Sequence, residues 1–109
     1  MQETGNVSYV EVADQSQLPE GGRLLIEVDG KSIVLFNIAG NLFALEDQCT
    51  HDEGLIGEGR LEGNIIVCPR HGARFDVITG KALSLPAVVD LKTYPVKLIN
   101  NMIHIGIWE

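Results

Sequence analysis

Two clusters of chemistry-bearing residues stand out in this chain: Cys49-Thr50-His51 and, after sixteen intervening residues, Cys68-Pro69-Arg70-His71. Each offers one thiolate and one imidazole. A zinc site could use two Cys and two His, but zinc spacings typically group Cys with Cys and His with His. A two-iron, two-sulfide cluster held by two Cys on one iron and two His on the other takes one residue of each kind from each of two loops. The symmetric half-motifs favour that second chemistry, with Cys49, His51, Cys68 and His71 as the four ligands. Zinc is colourless and an iron-sulfur cluster absorbs visible light, so colour alone separates the two readings.

Little else in the chain could transform a substrate. With the two motif histidines assigned, only His104 remains, too few for the two-His, one-carboxylate site of a non-haem oxygenase. No G-x-G-x-x-G follows a strand to hold a dinucleotide. The expected role is therefore electron transfer, with no catalytic residue.

The chain has 109 residues, 45% of them hydrophobic, which suits one domain able to bury roughly two-thirds of the surface its unfolded form exposes. Met1 to Gly5 lacks the basic start and apolar stretch of a secretory signal, and no apolar run approaches the roughly 20 residues of a membrane span. A cytoplasmic location is expected, where thiols stay reduced and two Cys serve better as ligands than as a disulfide. Eight basic against fifteen acidic side chains give a formal charge of -7, which disfavours nucleic acid and anionic membranes and favours basic protein partners. Plain solubility explains the same charge equally well.

The ligand loops must be held by strands. Val7 to Ala13, Arg23 to Val28, Lys31 to Asn37 and Asn41 to Glu46 are separated by turn signals at Pro19-Glu20-Gly21-Gly22, Asp29-Gly30 and Ala39-Gly40. Asp29-Gly30 is a strong two-residue hairpin signal. Arg60 to Glu62 and Ile65 to Val67 flank Gly63-Asn64, so a tight hairpin sets the separation of the ligand loops. Arg74 to Ile78 and Lys81 to Leu83 surround Thr79-Gly80, and Tyr94 to Ile99 and Met102 to Trp108 surround Asn100-Asn101. Gln15 to Leu18 predicts at most one helical turn; no stretch carries a convincing amphipathic helix. Most of the Val, Ile and Leu lie near the two ends, while Gly, Cys and His concentrate between 45 and 85. This predicts one all-β domain over 1–109: a sandwich-like base of antiparallel sheets, about 1–44 and 86–109, carrying a small cluster-binding lobe, about 45–85.

Residues and spacing together resemble the Rieske ferredoxins that serve bacterial ring-hydroxylating oxygenases. The similarity runs from about Glu11 to the C-terminus and includes Cys49-Thr50-His51-Asp52, Gly57-Glu58-Gly59, Cys68-Pro69-Arg70-His71-Gly72, Phe75-Asp76, Thr79-Gly80-Lys81 and Ser84-Leu85-Pro86-Ala87. The resemblance implies the Rieske fold, three stacked antiparallel sheets with the ligand loops at one end. It also implies one [2Fe-2S] cluster, with Cys49 and Cys68 on the inner iron, His51 and His71 on the outer one, and the Pro86 segment covering a third side. A flavin-dependent ferredoxin reductase and a terminal oxygenase are the implied partners. A small subunit or redox module of a larger oxidoreductase, such as an assimilatory nitrite reductase, is the alternative.

Departures from the respiratory Rieske proteins are informative. Those carry an extra disulfide-forming Cys in each loop; the matching positions here are Gly54 and Arg70. They also place a Ser and a Tyr hydroxyl against sulfur, where this chain has Ala73 and Phe75. Hydrogen bonds to sulfur favour the more negative reduced state, so their absence predicts a reduction potential at the low end of the Rieske range of about -150 to +300 mV.

Several other residues carry more than one reading. Arg70 and Arg74 orient a partner, favour the reduced cluster or are solvated charges, and Asp52, Glu53 and Glu58 steer docking or are simply exposed. Leu55, Ile56 and Pro86 are expected as an apolar collar keeping water off the cluster. Trp108 is expected in the core of the last strand, and His104 as a structural or solvent-facing residue of the same strand.

Overall fold

The computed structural model describes residues 7–47, 56–69, 72–84 and 89–108. Within them the chain forms ten strands: β1 (Val7–Asp14), β2 (Arg23–Val28), β3 (Lys31–Ile38), β4 (Asn41–Glu46), β5 (Arg60–Glu62), β6 (Ile65–Val67), β7 (Arg74–Asp76), β8 (Thr93–Tyr94), β9 (Val96–Ile99) and β10 (Met102–Trp108). Two single 3-10 turns, Gln15–Gln17 and Ile56–Glu58, are the helical elements among these residues. All strand pairs are antiparallel, in three sheets. A terminal sheet has the order β1-β10-β9, a central sheet β2-β3-β4-β8 and a distal sheet β5-β6-β7.

The turns follow from residues that tolerate positive φ. Asp29 and Gly30 take φ of 52° and 76° between β2 and β3, as a two-residue hairpin of matching twist requires. Asn100 and Asn101 do the same between β9 and β10, at 53° and 69°; a short polar side chain makes Asn one of the few L residues that visit this region readily.

The central sheet is buried on both faces. Ile33, Val34, Leu35 and Phe36 of β3 are wholly inaccessible, which is why β3 reads as a continuous apolar run instead of an alternating one. Val34, Phe36 and Leu45 face a core shared with Ile56, Ile66, Cys68, Ala73, Phe75, Val77 and Leu91. Ile33, Leu35 and Ala44 face a second core with Ile103, Ile105, Ile107 and Tyr94. Burying each large side chain is worth about 1.5–3 kcal/mol, so one strand anchors two cores. The terminal sheet covers one side of the central sheet, and the distal sheet covers the other.

Three expected elements differ. Tyr94 to Ile99 is two strands: β8 pairs with β4 in the central sheet and β9 with β10 in the terminal sheet. Pro95 lies at the break, where it has no N–H to give a ladder and its carbonyl accepts from Gly106 N at 2.8 Å. The strand expected over Arg74 to Ile78 ends at Asp76, whose carboxylate accepts from Ile78 N at 2.8 Å and turns the chain. Lys81 to Leu83 forms no strand; a single bridge joins Ala82 to Phe75.

Candidate metal centre

The distal sheet positions Cys68, the first residue of the second Cys/His motif. β6 runs directly into Cys68, and the chain returns into β7 from Ala73 after a tight loop. Cys68 N donates to Ala73 O at 2.7 Å, and Gly72 N donates back to Cys68 O at 3.1 Å. Gly72 takes φ of +74°, which glycine adopts without strain. Arg74 N donates to Ser84 Oγ at 3.2 Å, and Leu83 N donates to Arg74 O at 2.8 Å, so the segment leading toward Pro86 is tied to β7.

Cys68 carries a free thiol and is 1% exposed. It shares its core with Ala73 and Phe75, both fully buried. A cleft of about 440 Å³, lined in part by Cys68, Pro69, Gly72, Arg60 and Arg74, opens beside it. Cys49, His51 and His71 lie outside the described residues, as do Asp52, Glu53, Gly54, Leu55, Arg70 and Pro86. Among the described residues no group of three or more His, Cys, Asp and Glu side chains converges on a point.

The exit of the segment that carries the first Cys/His motif is held from several directions. Asp47, 3% exposed, precedes that loop; its carboxylate accepts from Gly57 N at 2.6 Å, and its own N–H donates to Ser32 O at 2.8 Å. Gly59 sits so close to β6 that a Cβ there would lie 2.0 Å from Val67 O. Arg23 Nη1 donates to Gly57 O at 2.8 Å and to Gly59 O at 2.6 Å. Asp47 and Arg23 do not appear among the sequence candidates, since neither falls in a ligand motif. The available signal was a charged residue opening β2 and another just past the end of β4.

Other expected residues find their places. Ile56 is fully buried in the core, not in a surface collar. Trp108 is 53% exposed, because it occupies the last position of β10 and points to the face opposite Ile107. His104 is half-buried, with Nδ1 3.0 Å from Met102 O and Nε2 3.9 Å from Glu11. Arg74 does not stand as a lone charge: it donates to Glu62 at 2.8 Å, and Arg60 donates to the other oxygen of the same carboxylate at 2.6 Å. Hydrogen bonds from Arg74 and then Arg60 hold the Glu62 carboxyl below its ordinary range. Glu58 is exposed.

Comparison with known proteins decides the family: residues 8–95 match the Rieske [2Fe-2S] domain. This chain belongs to the Rieske family. It is 43% identical over 93 residues, 85% of this chain and 89% of its relative, to the ferredoxin component of the naphthalene 1,2-dioxygenase/salicylate 5-hydroxylase systems of Ralstonia sp.. It is also 43% identical over 104 residues, 94% of this chain and 98% of its relative, to the 3-phenylpropionate/cinnamic acid dioxygenase ferredoxin subunit of Photorhabdus laumondii. Among solved structures, the ferredoxin of carbazole 1,9a-dioxygenase from Nocardioides aromaticivorans superposes with a TM-score of 0.84 at 30% identity, covering 90% of this chain and 96% of that one. A complex of reduced oxygenase and oxidized ferredoxin in carbazole 1,9a-dioxygenase contains a chain matched with the same TM-score at 28% identity, covering 90% of this chain and 92% of that one.

The fold is thus the all-β Rieske fold, and its family group is a Rieske [2Fe-2S] cluster. The described part of the centre fits that group. A reduced, buried Cys at the mouth of a cleft, in a loop closed by its own backbone hydrogen bonds, supplies a fixed thiolate of the kind such a cluster takes.

Proposed function

We propose that Cys49, His51, Cys68 and His71 hold one [2Fe-2S] cluster, and that this chain carries single electrons from a flavin-dependent ferredoxin reductase to a terminal ring-hydroxylating oxygenase. The observation that carries this reading is the fixed Cys68 loop lying within a Rieske domain match, in a chain spanning 89% and 98% of the two ferredoxin relatives above. The whole of 1–109 acts as one domain, with 45–85 as its cluster-binding lobe.

When bound, the cluster supplies one-electron transfer with no bond made or broken in a substrate. The chain's own residues determine how that happens. On this reading Cys49 and Cys68 would hold one iron, and His51 and His71 would hold the other and pass the electron to a partner. Ala73 and Phe75, packed with Cys68, offer no side-chain hydroxyl to sulfur, which favours a potential at the low end of the family range. Such a carrier is an electron-transfer component and not an enzyme. Among the described residues no helix is long and apolar enough to cross a membrane; a cytoplasmic location is part of this proposal.

Reconstitution tests the reading. Purified chain, mixed with a ferredoxin reductase, NADH and a ring-hydroxylating oxygenase from such a system, should be reduced by the first and reoxidised by the second, and product formation should require it. Turnover that proceeds equally well without the chain contradicts the carrier role. Stable co-purification with one large enzyme, in place of exchange between two, supports the redox-module alternative.

A further inference from the structure

The turn at Ile56–Glu58 lies between the two Cys/His motifs in the chain and leads into a close contact with the approach to the second. On its N-terminal side it leads out of the first ligand loop. The carboxylate of Asp47, on the opposite flank of that loop, accepts from Gly57 N, so the two ends of the loop are joined across its base. On its C-terminal side Gly59 rests against the carbonyl of Val67, the residue before Cys68. A shift of this turn would therefore move the base of the first loop relative to the entry of the second.

One side chain from outside the lobe grips this turn. Arg23 opens β2, the edge strand of the central sheet, directly opposite Phe36 of β3. Cross-strand partners share a face, and Phe36 faces the core beneath the distal sheet. Arg23 therefore projects the same way: its guanidinium lies over the Phe36 ring, 5.5 Å from the centroid, and one nitrogen donates to the carbonyls of both Gly57 and Gly59. The next residue on that face of β2, Leu25, packs where a Cβ on Gly57 would come within 2.6 Å of its Cδ2. Two charge-assisted hydrogen bonds in a part-buried setting, with a stacked stem fixing the donor, make a strong and directional tether.

We infer that Arg23 is a positioning residue for the cluster: by holding the Gly57 and Gly59 carbonyls to the central sheet, it fixes the separation of the two ligand loops. This rests on the proposed ligation by Cys49, His51, Cys68 and His71. A looser turn lets the loops vary in spacing, so the bound cluster is released faster and is held in more than one geometry. The same residue also brings a permanent positive charge to the side of the lobe.

The test uses the full chain loaded with iron and sulfide. Arg23→Met keeps the apolar stem over Phe36 and removes every donor, and Arg23→Lys restores a cationic donor. Iron loss to a chelator should be faster in Arg23→Met by roughly tenfold or more, the scale of one charge-assisted hydrogen bond. Its reduced-state electron paramagnetic resonance signal should broaden, and Arg23→Lys should recover most of both properties. A purely stabilising role would lower the melting temperature without broadening the signal. The inference is overturned if folded Arg23→Met releases iron at the wild-type rate with an unchanged signal, or if Arg23→Lys is as impaired as Arg23→Met. Should Arg23→Met not fold, Arg23→Gln, which is neutral and too short to span both carbonyls, takes its place, and wild-type behaviour in that variant is equally fatal. A wild-type chain that takes up no cluster overturns the ligand assignment itself, whereas a wild-type cluster indifferent to residue 23 overturns only the tether.

Discussion

At the scale of single residues, the centre is governed by what stands next to sulfur and by what holds the loop ends. Ala73 and Phe75 are fully buried beside Cys68 and carry no hydroxyl. Restoring a donor at each, with Ala73→Ser and Phe75→Tyr, should raise the reduction potential by about 60 mV per hydrogen bond, since about 1.5 kcal/mol per bond is shared over a single electron. A redox titration showing no upward change contradicts this account of the low potential. Asp47 does a different job. Its Ala variant leaves the Gly57 N–H without the carboxylate that accepts it in the folded chain, at a cost of about 1–3 kcal/mol and a fall in melting temperature on the order of 5–20 °C. Calorimetry of Asp47→Ala checks this; an unchanged melting temperature contradicts it. The family was legible at this scale because Cys and His at matched spacing have few uses, and residues 8–95 match its domain. Asp47 and Arg23 were not, because a hydrogen bond to a backbone carbonyl or amide some 10 to 36 residues away leaves no mark in local pattern.

At the scale of elements, the hairpins were the most readable features, and strand ends the least. Asp29-Gly30, Gly63-Asn64 and Asn100-Asn101 each connect strands as their turn chemistry predicts. Thr93–Tyr94 and Val96–Ile99 looked like one strand because both are rich in β-formers, yet Pro95 allows the chain to leave one sheet and enter another. The terminal Trp108 misled for a related reason: hydrophobicity predicts burial, but alternation places this side chain outward beside the inward Ile107. The β8 junction also has a measurable consequence. Burial, and then the carboxylate of Glu46, push the Tyr94 hydroxyl above its ordinary value near 10. A raised folded-state value means that the unfolded chain loses this proton first, so the stability tied to Tyr94 is fully present below about pH 10 and is lost as pH rises through the folded value. Tyr94→Phe should therefore flatten the decline in stability above about pH 10. Denaturation curves that fall as steeply in this variant as in the wild type contradict the assignment.

At the scale of the whole molecule, the three-layer arrangement explains how so small a chain presents a metal centre. The central sheet is saturated on both faces, one core supporting the terminal sheet and the other supporting the loop of Cys68. The base of the centre is thus built on the most deeply buried strand in the described structure, and Arg23 extends that rigidity to the turn between the ligand loops. The all-β class and the division between apolar ends and a Gly-, Cys- and His-rich middle could be read in the sequence. The layering could not, since it depends on which face of β3 meets which sheet, and β3 is apolar on both. The net charge of -7 acts at this scale too: association with a basic partner should slow as salt rises, and transfer rates that do not respond to ionic strength contradict electrostatic steering.

The central claim is that two thiolates and two imidazoles from this chain hold a pair of irons. Electron paramagnetic resonance of the purified, dithionite-reduced protein, with iron and sulfide assayed on the same sample, tests it most directly. The account predicts two irons and two sulfides per chain and the signal of mixed Cys/His ligation; an all-thiolate signal, or a colourless, iron-free protein after anaerobic reconstitution, contradicts it.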